Sequence, residues 1–328
     1  ESFYRGALAQ KMTAFAREHG AALTLEDLKN HRADWVTLLS RPFAGGSVQE
    51  LPPNGQGIAT LIALGILEEW EINHYAPDSP QWLHLSIEAM KLALVDLDRY
   101  VTDEDHLEFP AEHLLSNDYI RQRAALIDPA KAGDFRFGSP QQSGTVYVAA
   151  GDASGMMVSF IQSNYMGFGS GVVVPDTGIS LQNRGAGFSL DPDHPNVVAG
   201  GKRPFHTIIP AFARDQQGQP LMAFGVMGGP MQAQGHLQLA LRIMLHQQNP
   251  QAAIDAPRWR VVQGREVVFE STLDRNTLST LRRMGHNVVL EDPLSNYNFG
   301  GAQAIVRDPQ GFYIAASESR KDGQAVVF

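Results

Sequence analysis

The residues best placed to do chemistry are at the junction of Gly144 and Thr145, where a segment with no apolar period stops and a strand-like run starts. If that peptide bond were cut, Thr145 would carry a free α-amine beside its own hydroxyl. The amine can then act as the general base for the hydroxyl, the arrangement of an N-terminal threonine nucleophile. An α-amine has a pKa of about 7.7–8.0, so near neutral pH a useful share is unprotonated and able to take the proton. Uncut, Thr145 is only a β-branched residue opening a strand. A second candidate is Gly228-Gly229-Pro230, two glycines between a strand-like and a helix-like segment. Such a turn lets backbone N–H groups approach a ligand at a helix N-terminus, as an oxyanion hole requires. It serves equally as a strand-to-helix turn that needs positive φ.

Other chemistry is excluded or unsupported. The chain has no cysteine, which removes disulfides, thiolate zinc sites and a cysteine nucleophile. No G-x-S-x-G, H-E-x-x-H, Walker A or G-x-G-x-x-G pattern occurs. The 11 histidines are scattered without ligand spacing and read as surface or structural residues, and Asp103-Glu104-Asp105 reads as a solvated loop. Accordingly no metal and no organic cofactor is expected. A net charge of −9 argues against nucleic acid as a partner, and no run of 18 apolar residues argues for a membrane span.

These groups need elements to hold them. The 328 residues, 43% hydrophobic and 19% charged, are enough for a large core. Helical spacing predicts an opening helix through Phe3, Leu8, Met12 and Phe15, helices at Gly57–Glu69 and Pro80–Tyr100, and a third over residues 114–127. Strand pieces are expected at residues 35–39 and around Gly45-Gly46. Residues 129–144, PAKAGDFRFGSPQQSG, read as a linker or mobile loop. Beyond it come a hairpin (145–150 and 156–162), a second strand pair (208–213 and 221–226), a helix over 231–246 and another over 273–284. The chain therefore divides into a mostly helical part, 1–144, and a strand-rich part, 145–328.

Taken together, these segments resemble the gamma-glutamyltransferase (glutathione hydrolase) family of N-terminal-nucleophile hydrolases. The resemblance is carried by TVYVAAGDASGMMVSFIQSNYMGFGSG at residues 145–171, by LPPNGQG, KRPFHTIIP and VMGGPMQ, by the opening FYRGALAQ and LTLEDLKNH, and by ALVDLDRY. It implies an α+β fold, the four-layer αββα sandwich, with autocatalytic cleavage between Gly144 and Thr145. Large and small subunits would then come from one precursor, 1–144 being the later part of the large subunit and 145–328 the small one. A preceding segment, with an arginine that grips the substrate carboxylate, is expected to be missing from these residues; the chain opens on Glu1. Localisation is expected in the cytoplasm, the periplasm staying open, and a higher oligomer of the heterodimer is left open too.

By position, the resemblance assigns Thr145 as nucleophile, Ser163 as the residue that orients its amine, and Gly228 and Gly229 as the oxyanion pair. The amino-acid clamp of the family departs. Its aspartate falls at Gly187, its glutamine at Arg184, its serine pair at His206 and Thr207, and its asparagine at Tyr165. Arg184, Tyr165, His206 and Thr207 are thus the expected substrate-binding residues. With no carboxylate for an α-ammonium and a new guanidinium, a small anionic amide is expected. The substitutions point to the oxamate amidohydrolase and cephalosporin-acylase-like branch, with oxamate as the best guess. A gamma-glutamyl hydrolase or transferase, and an uncleaved small-anion binder with no enzymatic role, are the alternatives.

Overall fold

The computed structural model describes residues 1–137, 144–294 and 297–327. The opening is two helices, α1 (Ser2–Arg5) and α2 (Ala7–Glu18), because Gly6 is extended between them (φ −110°, ψ −150°). A capped helix α3 (Leu25–Asn30) follows, with Thr24 and Asp27 forming a capping box. Residues 35–38 are not a strand: Trp35 is fully exposed, and pairing starts at β1 (Leu39–Phe43), which turns into β2 (Gly46–Glu50). Helix α4 (Gly57–Glu69) is apolar on all sides, and every residue from Gly57 to Leu67 is buried. That is what a helix enclosed by other elements requires. Helix α5 (Pro80–Tyr100) starts with Ser79 as its cap and Pro80 in its first turn. The single helix expected over 114–127 is a 3₁₀ turn, Ala111–Leu115, and then α6 (Asn117–Ala124), because the Ser116 hydroxyl accepts the Tyr119 N–H and starts a new helix.

The later chain is strand-rich: β3 (Gly144–Gly151), β4 (Met157–Tyr165), the short pair β5 (Val173–Val174) and β6 (Ile179–Ser180), then β7 (Ala211–Arg214) and β8 (Pro220–Met227). Helix α7 (Met231–Ala240) continues as a π-helical turn, Leu241–Leu245, so the expected helix over 231–246 is not α-helical throughout. Helix α8 (Pro250–Asp255), strands β9 (Trp259–Gln263) and β10 (Glu266–Glu270), helix α9 (Arg275–Arg283), and strands β11 (Asn287–Glu291), β12 (Gly301–Arg307) and β13 (Tyr313–Ser317) complete the chain.

Six strands form one sheet in the order β1-β2-β7-β8-β12-β13, so both parts of the chain contribute to it. Helices α4 and α7 pack on it, and α5 and α6 pack against α4. The β3–β4 hairpin lies against β8 and β12 on the other face. Helices, sheet and hairpin thus stack as three layers of the expected sandwich. The close approach depends on Gly225: a Cβ there would come within 2.4 Å of the Tyr147 ring. Strand alternation points Thr145, Tyr147, Ser159 and Ser163 toward the sheet and leaves Val146, Val148, Val158 and Phe160 about half exposed. A smaller sheet, β11-β10-β9, sits apart.

Of the segment expected to be a linker, residues 138–143 lie outside the described residues. Residues 129–137 are held to the body: Ala132 is 1% exposed, and its N–H donates to the Met284 carbonyl at 2.7 Å.

Candidate active site

Thr145 occupies the second position of β3, where the register with β4 shifts between the pairs Gly144–Tyr165 and Val146–Gln162. A bulge of this kind re-aims one side chain out of the regular pleat. The Thr145 Oγ1 hydroxyl donates to Ser163 Oγ at 3.3 Å, and Ser163 Oγ accepts the Tyr165 N–H at 2.9 Å. Tyr165 is buried with φ at +79°, a conformation rare for a bulky side chain and a mark of local strain.

Gly228 and Gly229 follow β8 with φ of +130° and +60°. A Cβ on Gly228 would lie 2.9 Å from the Gly300 Cα, so both the backbone angle and the space demand glycine. Among the described residues neither glycine N–H donates to a backbone carbonyl. The Gly229 carbonyl accepts from Gln232 N–H at 3.0 Å and from Gln56 Nε2 at 2.8 Å. Gln56 also donates from Nε2 to the Thr207 carbonyl at 2.7 Å. One buried amide from the start of α4 therefore ties the glycine turn to the His206–Thr207 segment before β7. Sequence reasoning missed Gln56. It sits in a Pro- and Gly-rich turn, and a polar residue there carries no distinguishing signal.

Thr145, Tyr165, Gly187, Gly228 and Gln56 line a cavity of about 1040 Å³. Much of its wall is apolar, including Leu94, Leu97, Phe137, Phe188 and Met231. Gly229, Ser163, Arg184, His206 and Thr207 are not among the residues that line it. A Cβ at Gly187 would meet the Phe205 carbonyl oxygen at 2.3 Å, so no carboxylate side chain fits there without moving the backbone. Arg184 starts a 3₁₀ turn, and its Cζ lies 5.0 Å from the centre of the Tyr165 ring. Its Nη1 and Nη2 are buried and have no hydrogen-bond partner among the described residues. Burial of His206, with the Arg184 and Arg203 charges adding to it, pushes its pKa down to about 4, so this imidazole is neutral at pH 7. The Thr207 hydroxyl is buried and unpartnered as well.

The histidines are less scattered than their spacing suggests. His84 Nδ1 and His286 Nε2 are 2.8 Å apart, and with a Glu88 oxygen they form a group whose ligand atoms lie within 4.8 Å of one another. A cation already serves this group: Lys91 Nζ is 2.7 Å from Glu88 Oε1, and the other carboxylate oxygen accepts the Gly133 N–H at 2.9 Å. None of the three lines the cavity. Asp103 also departs from the solvated reading, being 8% exposed and accepting the Arg203 N–H at 2.7 Å.

The cluster has a measurable acid response. Burial, with Lys91 and His84 adding, holds His286 down at about 2, and burial lowers His84 as well. Below pH 6.5 the unfolded chain therefore binds protons that the folded chain refuses, and stability present above that pH is lost as pH falls. One such imidazole is worth about 2 kcal/mol between pH 7 and pH 5. Urea midpoints across that range should show this fall in the parent and a flatter slope in His286→Gln; equal slopes would contradict the assignment.

The profile of the gamma-glutamyltranspeptidase family matches residues 1–328. Over 99% of its length the chain is 37% identical to a glutathione hydrolase-like YwrD proenzyme of Bacillus subtilis, and over its full length 38% identical to an oxamate amidohydrolase proenzyme of Klebsiella pneumoniae. The chain spans 62% of each of these relatives. Among solved structures, that of a cephalosporin acylase from Bacillus halodurans superposes with a TM-score of 0.93 at 47% identity, covering 99% of this chain and 59% of that one.

Proposed function

The chain belongs to the gamma-glutamyltranspeptidase family and shares the N-terminal-nucleophile hydrolase fold, and from that premise we propose that it matures by cleavage between Gly144 and Thr145 into an amidohydrolase for small anionic amides. The observation that carries the reading is the convergence of Thr145, the Gly228 turn and Tyr165 on one cavity. Once cleavage frees the Thr145 amine, it takes the hydroxyl proton while Oγ1 attacks the substrate carbonyl. Ser163, held by the Tyr165 N–H, keeps the hydroxyl in register. The oxyanion that forms is stabilised by the glycine N–H groups. The C–N bond breaks, and the leaving nitrogen departs with the proton. Water, deprotonated by the same amine, then hydrolyses the acyl ester and regenerates Thr145.

The substrate side rests on two features. At position 187 backbone contact leaves no room for an acid that could hold an α-ammonium. The Arg184 guanidinium lies on the Tyr165 ring with Nη1 and Nη2 buried and without a hydrogen-bond partner among the described residues, and an anion in the cavity would give it an opposite charge. A unit charge a few ångströms from such a group is stabilised enough to change affinity roughly ten- to a hundredfold. Arg184→Gln should therefore lower kcat/KM for oxamate by about that factor and leave a neutral amide of similar size nearly unchanged. Equal losses on both substrates would show that Arg184 acts only through packing.

The cavity volume favours a second reading within the class. About 1040 Å³ is at the top of the range for small-molecule sites and far exceeds a two-carbon amide. Longer carboxyacyl amides, with an apolar stretch between carboxylate and scissile bond, fit the apolar wall better than oxamate does. Relatives named as acylases support this reading. Rates on a series from oxamate through longer carboxyacyl amides, beside a gamma-glutamyl anilide, separate these substrates. Denaturing gel analysis of fresh protein tests the non-enzymatic alternative, which requires an uncut chain.

A further inference from the structure

The stretch that leads to the cleavage point is gripped from both sides. From α5, Gln81 Nε2 donates to the Pro129 carbonyl at 2.6 Å, His84 Nε2 contacts the Asp128 carbonyl at 2.8 Å, and Glu88 and Lys91 bind the Gly133 N–H and carbonyl at 2.9 and 3.1 Å. From the later part of the chain, the Met284 carbonyl accepts the Ala132 N–H at 2.7 Å. The Gly264 N–H donates to the Phe135 carbonyl at 3.0 Å, and Gln263 Nε2 donates to the Phe137 carbonyl at 3.3 Å. The His84–His286 bond at 2.8 Å closes the clasp. A Cβ at Gly133 would lie 2.3 Å from the Phe135 ring and 2.9 Å from Glu88 Oε2, so the chain needs glycine to turn this tightly over the buried ion pair. Phe137, at the end of the clasped stretch, lines the same cavity as Thr145.

Every one of these contacts lies before residue 138 or after residue 260, so breaking the Gly144–Thr145 bond removes none of them. Building on the proposed maturation, we infer that cleavage does not release the tail of the first subunit: residues 128–137 stay clasped between α5 and the β9–β11 sheet, and Phe137 remains as a wall of the mature cavity that selects for substrate bulk. At the centre of the clasp the His84–His286 bond and the Glu88–Lys91 ion pair are buried, which makes release expensive. The tail also crosses between the two products of cleavage and so fastens them together.

The test is backbone hydrogen exchange on the split enzyme and on the uncut Thr145→Ala chain. The amides of Ala132, Gly133 and Gly264 should exchange equally slowly in both. Phe137→Ala in the split enzyme should lower kcat/KM roughly tenfold for a bulky carboxyacyl amide, the scale of losing part of an apolar pocket contact, and by a clearly smaller factor for oxamate, which is too short to fill that wall. A chain that splits and whose 128–137 amides then exchange freely overturns the clasp while the proposed function stands. Equal effects of Phe137→Ala on both amides overturn the selective wall. A parent chain that never splits overturns this inference and the proposed maturation together.

Discussion

Thr145→Ala is expected to yield one uncut chain and no turnover, whereas the parent separates into two, the second a 184-residue chain beginning at Thr145. In the proposed mechanism the same hydroxyl attacks the Gly144 carbonyl in maturation and the substrate carbonyl in catalysis, so a single deletion would stop both. Removing a nucleophile of this kind costs at least roughly 10⁴ in rate. Unfolding is not a competing explanation. Among the described residues the Thr145 hydroxyl makes one long hydrogen bond, at 3.3 Å, and its loss should change stability by about 1 kcal/mol or less. Intact mass and N-terminal sequencing read the cleavage, and amide hydrolysis reads the turnover. A Thr145→Ala chain that still splits, or a parent that turns over while uncut, would sink the mechanism. Thr145→Ser, which keeps the hydroxyl and amine, should retain both steps at reduced rate.

The second large effect is expected at the glycine turn. Gly229→Val should lower kcat by roughly 10²–10³, the scale of losing one preorganised donor, with KM changing less. At φ +60° a β-branched residue is strained by about 1–3 kcal/mol, and relieving that strain would rotate the peptides whose N–H groups are proposed to face the developing charge. Gln56 and Gln232 pin the Gly229 carbonyl, so the rotation cannot be shared with the rest of the loop without breaking those bonds. Gly218→Val supplies the control. Gly218 has φ +76° in an exposed turn between β7 and β8, and a Cβ there meets nothing within 4 Å. It should lose comparable stability and keep kcat. If Gly229→Val stayed within a few-fold of the parent while the chain still split, the oxyanion assignment would fail.

Much of the local structure was legible in the residues because its causes are local. Ser79 followed by Pro80 starts α5, Asp274 caps α9, and the unbroken apolar run of α4 marks a helix with no wet face. The hairpin after Thr145 follows from alternation and a glycine-bearing turn. Boundaries slipped where one residue outweighed the period: Gly6 split the first helix, and Ser116 began α6 late. The segment before Thr145 looked loose because it has no apolar period, yet residues 129–137 are fixed by hydrogen bonds to their backbone groups, which leave no trace in the segment's own side-chain pattern.

By itself, the sequence determined that a threonine stands at the head of a strand behind a glycine and that two glycines join β8 to α7; that position 187 lacks the acid for an α-ammonium was implied by the resemblance to the family. These are statements of residue type and neighbour order, and short-range sterics and hydrogen bonding translate them directly. Tertiary structure alone decided that Gln56 reaches Gly229, 173 residues away, that His84 meets His286 across 202 residues, and that Arg184 lies on Tyr165 without a partner of its own. It also decided that Gly187 touches the Phe205 carbonyl too closely for any side chain. Such pairings have no period in the chain. A buried polar residue can be satisfied by many partners, and which one it meets is set by how the sheet and its helices pack, not by what stands beside it in sequence.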